Sequence, residues 1–391
     1  MNKRTKITLR TKITLTIVAL LTLTGVFYAS NPSVFVMPGH GVFQPIGMAA
    51  DPAHLYVSQY EDNDIRVVDC NGNGTLFGTL PGPTQPLVEK YMALAPAQSA
   101  TALFTPGELF VTLSEQVFKA TPPSGTFTPF ADVSTVLGGC PGSHHSAIGF
   151  DKVGTFGFNM IVTCESGRVW QVDHNGTVTH IADTSTPAHG PTFIEGPAVL
   201  PSNFGPLHGQ IMVADDQHHQ LYTIDNGGNV NYNPFGFPDG TFNGAEQVLV
   251  IPEFPCAFCV DRAFFTASAE DDNIISYPLG DFTGLGGDIL VTTENHPNFG
   301  TFRVHFDVPS MSYQFTVFDG SAINKEGSTF VEGSCPPVTP TPTPTPTASP
   351  SPTPTATATA TATFTPTPTA TATATATATP TPRLRRLRHH P

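Results

Sequence analysis

Glu195, Glu246 and Glu326 each stand at the head of a short apolar run, and His145 and Gln44 take the matching place ahead of two others. Carboxylates gathered on one axis in a medium of reduced dielectric repel strongly. A divalent cation relieves that repulsion. Oxygen donors favour Ca²⁺, and a histidine contribution shifts the preference toward Zn²⁺ or Mn²⁺. Glu195, Glu246, Glu326 and His145 are therefore the candidate metal ligands. With a metal polarising a carbonyl, one of the three glutamates would serve as base in a hydrolysis. The alternative is that these carboxylates hold backbone amides of neighbouring segments, or water. His218-His219 reads as a solvent-exposed pair in an outer turn. Asp215-Asp216 and Glu270-Asp271-Asp272 read as solvated turns, or as peripheral Ca²⁺ sites. The chain contains no Gly-x-Ser-x-Gly elbow, no HExxH and no Walker loop.

The elements that must position these residues are strands. Residues 195–229 hold three short apolar runs separated by turn chemistry, ending in Asn226-Gly227-Gly228. Each run is too short for a helix, and Asn and Gly tolerate the positive φ of a tight hairpin. The unit recurs. The text at 153–162 matches 204–213 and 282–291, and each is followed by a polar turn and a second strand. Weaker strand pairs occur near 55–69, 108–121 and 262–278. Strand-and-turn text repeating at roughly 50 residues predicts an all-β fold, a six-bladed β-propeller. The expected innermost strands are 45–50, 99–104, 145–150, 195–200, 246–251 and 326–331. The last echoes the fourth but sits at the far end of the repeats, which predicts closure by both chain ends within one blade. No fourth strand is visible between 278 and 288, so blade five or six reads as incomplete.

The segments PIGMAADPAHLYVSQYEDNDIRVVD at 45–69 and IEGPAVLP with GQIMVADDQHHQLYTID between 194 and 225 resemble NHL-type and SMP-30/gluconolactonase-like six-bladed propellers. The resemblance implies a site at the central channel and Ca²⁺ or another divalent metal. In the SMP-30-like lactonases a first-blade Glu with Asn and Asp partners holds the metal. Here the first-blade place reads Gln44-Pro45-Ile46-Gly47, and Glu195, in the fourth repeat, carries the Glu-Gly-Pro motif.

Composition divides the chain into three. Residues 1–31 pair a basic start, with Arg-Thr-Lys-Ile-Thr-Leu written twice, with an apolar stretch at 13–29. That is an export signal, cleaved near Ala29, or an uncleaved anchor helix. Residues 32–335 form the propeller. Residues 336–391 are Thr, Pro and Ala with a basic end, a disordered stalk that can bury no core and could touch the cell envelope through its arginines. Between the ends lie eight Lys and Arg against 31 Asp and Glu, a net charge of −23. Such a surface excludes nucleic acid as a partner. It leaves a protein, a glycan or a small molecule as ligand, bound by an exported scaffold at the cell surface or turned over by a metal-dependent hydrolase. Six cysteines in an exported chain predict disulfides. Cys256 with Cys259, Cys140 with Cys164, and Cys70 with Cys335 as a ring-closing bridge are the candidate pairs.

Overall fold

The computed structural model describes residues 30–333 apart from 85–87, 98–102, 142–144, 295–299 and 322. The expected signal segment, the tail, His144 and Cys335 lie outside the described residues. Twenty-four strands make six four-stranded antiparallel sheets. In chain order, β1 (Ser33–Val36) precedes the first blade, which holds β2 (Pro45–Ala50), β3 (Leu55–Gln59), β4 (Asp64–Val68) and β5 (Gly74–Thr79). The second holds β6 (Met92–Leu94), β7 (Leu109–Leu113), β8 (Gln116–Ala120) and β9 (Thr128–Asp132). The third holds β10 (Ser146–Phe150), β11 (Met160–Cys164), β12 (Arg168–Val172) and β13 (Val178–Asp183). The fourth holds β14 (Ile194–Val199), β15 (Ile211–Asp215), β16 (Gln220–Ile224) and β17 (Val230–Asn231). The chain continues through β18 (Ala245–Val250), β19 (Arg262–Ser268), β20 (Asn273–Pro278), β21 (Ile289–Thr293), β22 (Gly300–Asp307), β23 (Ser312–Asp319) and β24 (Ser328–Phe330).

These last strands do not form blades in sequence. Sheet five is β18-β21-β22-β23, and sheet six is β24-β19-β20-β1. After laying the inner strand of blade five, the chain builds the middle of blade six, returns through a 3-10 turn at Leu279–Phe282, finishes blade five, and then supplies the inner strand of blade six. Both blades are complete. The strand missing between 278 and 288 is a crossover, because the preceding hairpin belongs to the neighbouring sheet. Blade six takes its innermost strand from the C-terminal side and its outermost from the N-terminal side, so both ends close one sheet. Neighbouring inner strands touch in the order β2, β6, β10, β14, β18, β24 and back to β2. Such a ring leaves only short outer edges exposed.

Burial explains the strand text. The second strands β3, β7, β11, β15 and β21 are buried along their whole length, because each sheet packs on a neighbour through both faces. Such strands read as near-continuous apolar runs. The outer hairpins are set by local chemistry. Asp69, Asp173 and Asp225 each accept from the amides two and four residues on, at 2.8–2.9 Å. Those turns place Gly72, Gly176 and Gly228 at φ 79–81°, which an L side chain resists.

The inner strand of blade two is β6, at Met92–Leu94, not 99–104. Of the described residues of that run, Leu103 is exposed and Phe104 packs between blades two and three, ahead of β7. Cys140 bridges Cys164 as expected, but Cys70 bridges Cys259. The local Cys256–Cys259 pair and the Cys70–Cys335 pair are thereby excluded. Cys259 sits in left-handed backbone, φ 64°, facing Cys70, whereas Cys256 lies against the Gly333 carbonyl at 3.3 Å. Cys256 is itself disulfide-bonded. The Cys70–Cys259 bridge still ties the first blade to the sixth, across a sequence separation of 189. Stable disulfides are the chemistry of an oxidising, extracellular-type environment. Among the described residues no helix is long and apolar enough to cross a membrane.

Candidate functional site at the channel mouth

Two devices aim side chains at the propeller axis. The first is a latch between blades. A hydroxyl on a second strand bonds a carbonyl at the head of the next inner strand: Ser58 to Lys90 at 2.6 Å, Thr112 to Ser146 at 2.7 Å, and Thr292 to Glu326 at 3.5 Å. Each is worth about 1 kcal/mol and fixes where the head of the strand sits. The second is a bulge. The β14–β15 register shifts between Glu195 and Ala198, the β18–β21 register between Ala245 and Gln247, and the β2–β3 register between Pro45 and Met48. A bulge re-aims the residue beside it, here Glu195 and Glu246. Gly196 follows Glu195 because a Cβ there would lie 2.5–3.0 Å from Gln247 of the next blade. Gly327 follows Glu326 for the same reason, with its Cβ position 2.4 Å from the Ile46 carbonyl oxygen. The Glu-Gly pairs thus sit where adjacent inner strands leave no room for a Cβ.

The result is a crowded acidic centre. Carboxylate oxygens of Glu89, Glu195 and Glu246 lie within 4.8 Å of one another. Glu195 and Glu246 are only 2% and 5% exposed, and Glu89 is half-buried. Glu326 is buried and feels the charges of Glu89 and Glu294, but it is not one of the converging three. His145 does not join as a fourth donor. Its Nδ1 lies 3.3 Å from Glu89 Oε2, at the half-exposed rim. Gln44 is anchored by its amide to Asp272 at 2.8 Å. The Tyr91 hydroxyl donates to Glu246 Oε2 at 3.2 Å.

The titration of these groups follows from the crowding. Burial first, then the charges of Glu89, Glu165 and Glu294, hold Glu195 well above the usual carboxylate range. Glu246 and Glu326 are raised for the same reasons. Glu294, after β21, is pushed up to about 7 by burial and the charges of Asp216 and Glu89. Burial alone would lower His145, but the hydrogen bond and charge of Glu89 raise it. Lys90 is buried beside the cluster, its Nζ donating to the Val88 and Gln59 carbonyls at 2.8 and 3.1 Å. Burial holds it at about 8 despite the nearby acids. Six glutamates, at 89, 165, 195, 246, 294 and 326, thus face one lysine and one histidine.

Sequence reasoning missed Glu89, Glu165 and Glu294. Glu89 precedes the three-residue strand β6, too short a run to stand out. A visible signal was the Glu three residues ahead of Met92-Ala93-Leu94. Glu165 and Glu294 directly follow second strands, a position that carries Asp216 in blade four.

Asp215 and His218 are not the solvated turn residues expected. Asp215 is fully buried, and His218 is bonded to it at 2.6 Å. The carboxylate closes its own turn by accepting from the Phe193 and Gln217 amides at 2.8 and 3.1 Å.

With this geometry in view, likenesses to known structures can be placed. No protein-family model and no curated protein matches the chain. Among solved structures, a virginiamycin B lyase from Staphylococcus aureus is similar at 11% identity and a TM-score of 0.41, covering 78% of this chain and 99% of that one. A calcium-binding regucalcin from Agrobacterium tumefaciens is similar at 13% identity and a TM-score of 0.40, covering 79% and 99%. A gluconolactonase from Xanthomonas campestris is similar at 13% identity and a TM-score of 0.34, covering 60% and 71%. The class defined by strand order and ring closure is the six-bladed β-propeller. The likeness is one of fold and assigns no activity.

Proposed function

We propose that the protein is an exported propeller module that binds an oxygen-rich ligand through a divalent cation at its channel mouth. The observation that carries this reading is the convergence of Glu89, Glu195 and Glu246 within 4.8 Å, two of them buried. The donor set is all oxygen, which fits a hard cation of the Ca²⁺ class, and carboxylates this close otherwise stay together only by sharing protons. Glu89, Glu195 and Glu246 would hold the ion, with Glu326 and Glu294 adding negative potential around it. A hard cation there would supply coordination to oxygen atoms of a glycan, a carboxylate or a protein side chain. Residues 1–31 act as the export signal or anchor. Residues 336–391 act as a stalk that spaces the propeller from the envelope, with the basic end touching anionic polymer or lipid.

The test is elemental analysis of the purified full chain, paired with thermal melts with and without EDTA. One equivalent of divalent metal and a lower melting temperature in EDTA support the reading. A metal-free protein whose melt ignores both EDTA and added Ca²⁺ removes it.

A second reading, a metal-dependent hydrolase, is favoured by the His145–Glu89 pair at the half-exposed rim. An imidazole oriented by a carboxylate at a site entrance can take a proton from water and return it to a leaving alcohol. His145→Ala would then abolish turnover of an ester or lactone while leaving metal content unchanged. Equal loss of both would assign His145 to positioning.

A further inference from the structure

The geometry points to a second cation site, of the Zn²⁺ class, built by His189, Asp215 and His218 on the outer part of blade four. One donor atom from each of the three lies within 4.8 Å of the others. The fold brings them together: the β13–β14 loop supplies His189, the end of β15 supplies Asp215, and the turn into β16 supplies His218. Two imidazoles and one carboxylate are the donor set that prefers zinc and its neighbours over calcium. The site is therefore chemically distinct from the all-carboxylate channel mouth, and it stands or falls independently of that reading.

The donors are held in place before any ion arrives. Asp215 is fully buried, and one oxygen, Oδ1, is fixed by the Phe193 and Gln217 amides. The other, Oδ2, meets His218 Nδ1 at 2.6 Å and the Tyr222 hydroxyl. That same hydroxyl lies 2.9 Å from His189 Nε2. The His189 ring is stacked on Tyr232, centroids 3.8 Å apart, and lies 4.7 Å from the His218 ring. The amides on Asp215 Oδ1 and the Tyr232 stack hold the carboxylate and the His189 ring from outside the cluster, as outer partners of metal ligands do. The His218 side chain is 31% exposed, so solvent reaches the cluster, and three protein donors leave a fourth position for water or ligand.

The site shares a face with the channel. Asp215 pairs with Ile194 in the β14–β15 ladder, and Glu195 is the next residue along that strand. Asp216 lies between, and its charge acts on Glu195 and Glu294. A cation on His189, Asp215 and His218 would pin the β13–β14 loop to the β15–β16 turn beside the channel entrance.

The test uses Co²⁺ as a spectroscopic stand-in for Zn²⁺, on metal-free full chain carrying Glu195→Gln to weaken the channel's own affinity. The expected result is one equivalent of Co²⁺ with the visible absorption of a four-coordinate ion. His189→Ala and His218→Ala should each weaken that binding at least tenfold. Circular dichroism of the metal-free variants checks folding. In parallel, acylation of histidines with diethyl pyrocarbonate in the unsubstituted chain, mapped by mass spectrometry, should show His189 and His218 protected by Zn²⁺. The proposal is overturned by absence of the Co²⁺ band at millimolar ion, by a band that survives both substitutions, or by acylation unchanged by Zn²⁺.

Discussion

Two of the regions in which the molecule buries charge are treated differently. Where blades five and six meet, Asp319 and Lys325 form a closed set. Lys325 Nζ donates to Asp319 Oδ2 at 2.8 Å, Tyr277 donates to the same oxygen at 2.6 Å, and Ser321 donates at 2.7 Å. Burial would raise Asp319, but Lys325 and these hydroxyls pull it below the usual range, so it stays ionised. At the channel mouth the glutamates have mainly each other. Burial and mutual repulsion push Glu195, Glu246 and Glu326 the opposite way. One region carries its counter-charge in the chain; the other needs protons or an ion from outside. A fold that must bury charge for structure alone has the first solution available, and the channel mouth does not use it.

The comparison can be broken at its balanced end first. Lys325→Met leaves Asp319 buried without its cation and should cost about 3–5 kcal/mol in denaturant unfolding. A loss below about 1 kcal/mol would mean that the pair is not the counter-charge described here. At the unbalanced end, Ca²⁺ at a thousandfold excess over its dissociation constant should stabilise the fold by about 4 kcal/mol, read as a shift of the melt that EDTA reverses.

The pH dependence should separate the regions by sign. Glu294 is raised above the ordinary 4.5 to about 7, so its contribution is complete below 4.5 and is lost as pH rises through about 7; Glu195, Glu246 and Glu326 are raised as well and contribute in the same sense. Asp319 is depressed below 3.8, so its contribution holds above 3.8 and is lost only as pH falls through its lower folded value. Metal-free protein should therefore lose about 1–3 kcal/mol between pH 5 and 8, and saturating Ca²⁺ should flatten that slope. A metal-free melt that rises over the same range would reverse the assignment. The smallest effect is expected from Glu195→Gln at pH 8. It should stabilise the metal-free protein by about 1 kcal/mol by removing a repelling charge, while weakening cation binding about tenfold. Destabilisation without loss of cation affinity would make Glu195 a structural residue.

The ring was legible in the sequence because every blade must bury a second strand through both faces, and that demand writes the same apolar run six times. The glycines after Glu195 and Glu326 have a cause that only the folded ring shows, since inner strands approach too closely there for a Cβ. Strand exchange between blades five and six was not legible. A hairpin such as β19–β20 has the same local text whichever sheet receives it, and only the closure of blade six shows where it belongs. Glu89 was hidden because three residues of strand suffice once β7 and the neighbouring inner strands hold β6 in place. Asp215 was misread because a carboxylate capping its own turn looks like any solvated Asp until a histidine and two tyrosines are brought around it.

Titration calorimetry of the metal-free full chain with Ca²⁺ at pH 7, run in two buffers of different ionisation enthalpy, reads both halves of the central claim at once. One equivalent should bind with release of protons from the glutamates, and Glu195→Gln/Glu246→Gln should abolish both signals. Heat of binding that is absent at millimolar Ca²⁺, or unchanged in the double variant, would contradict it.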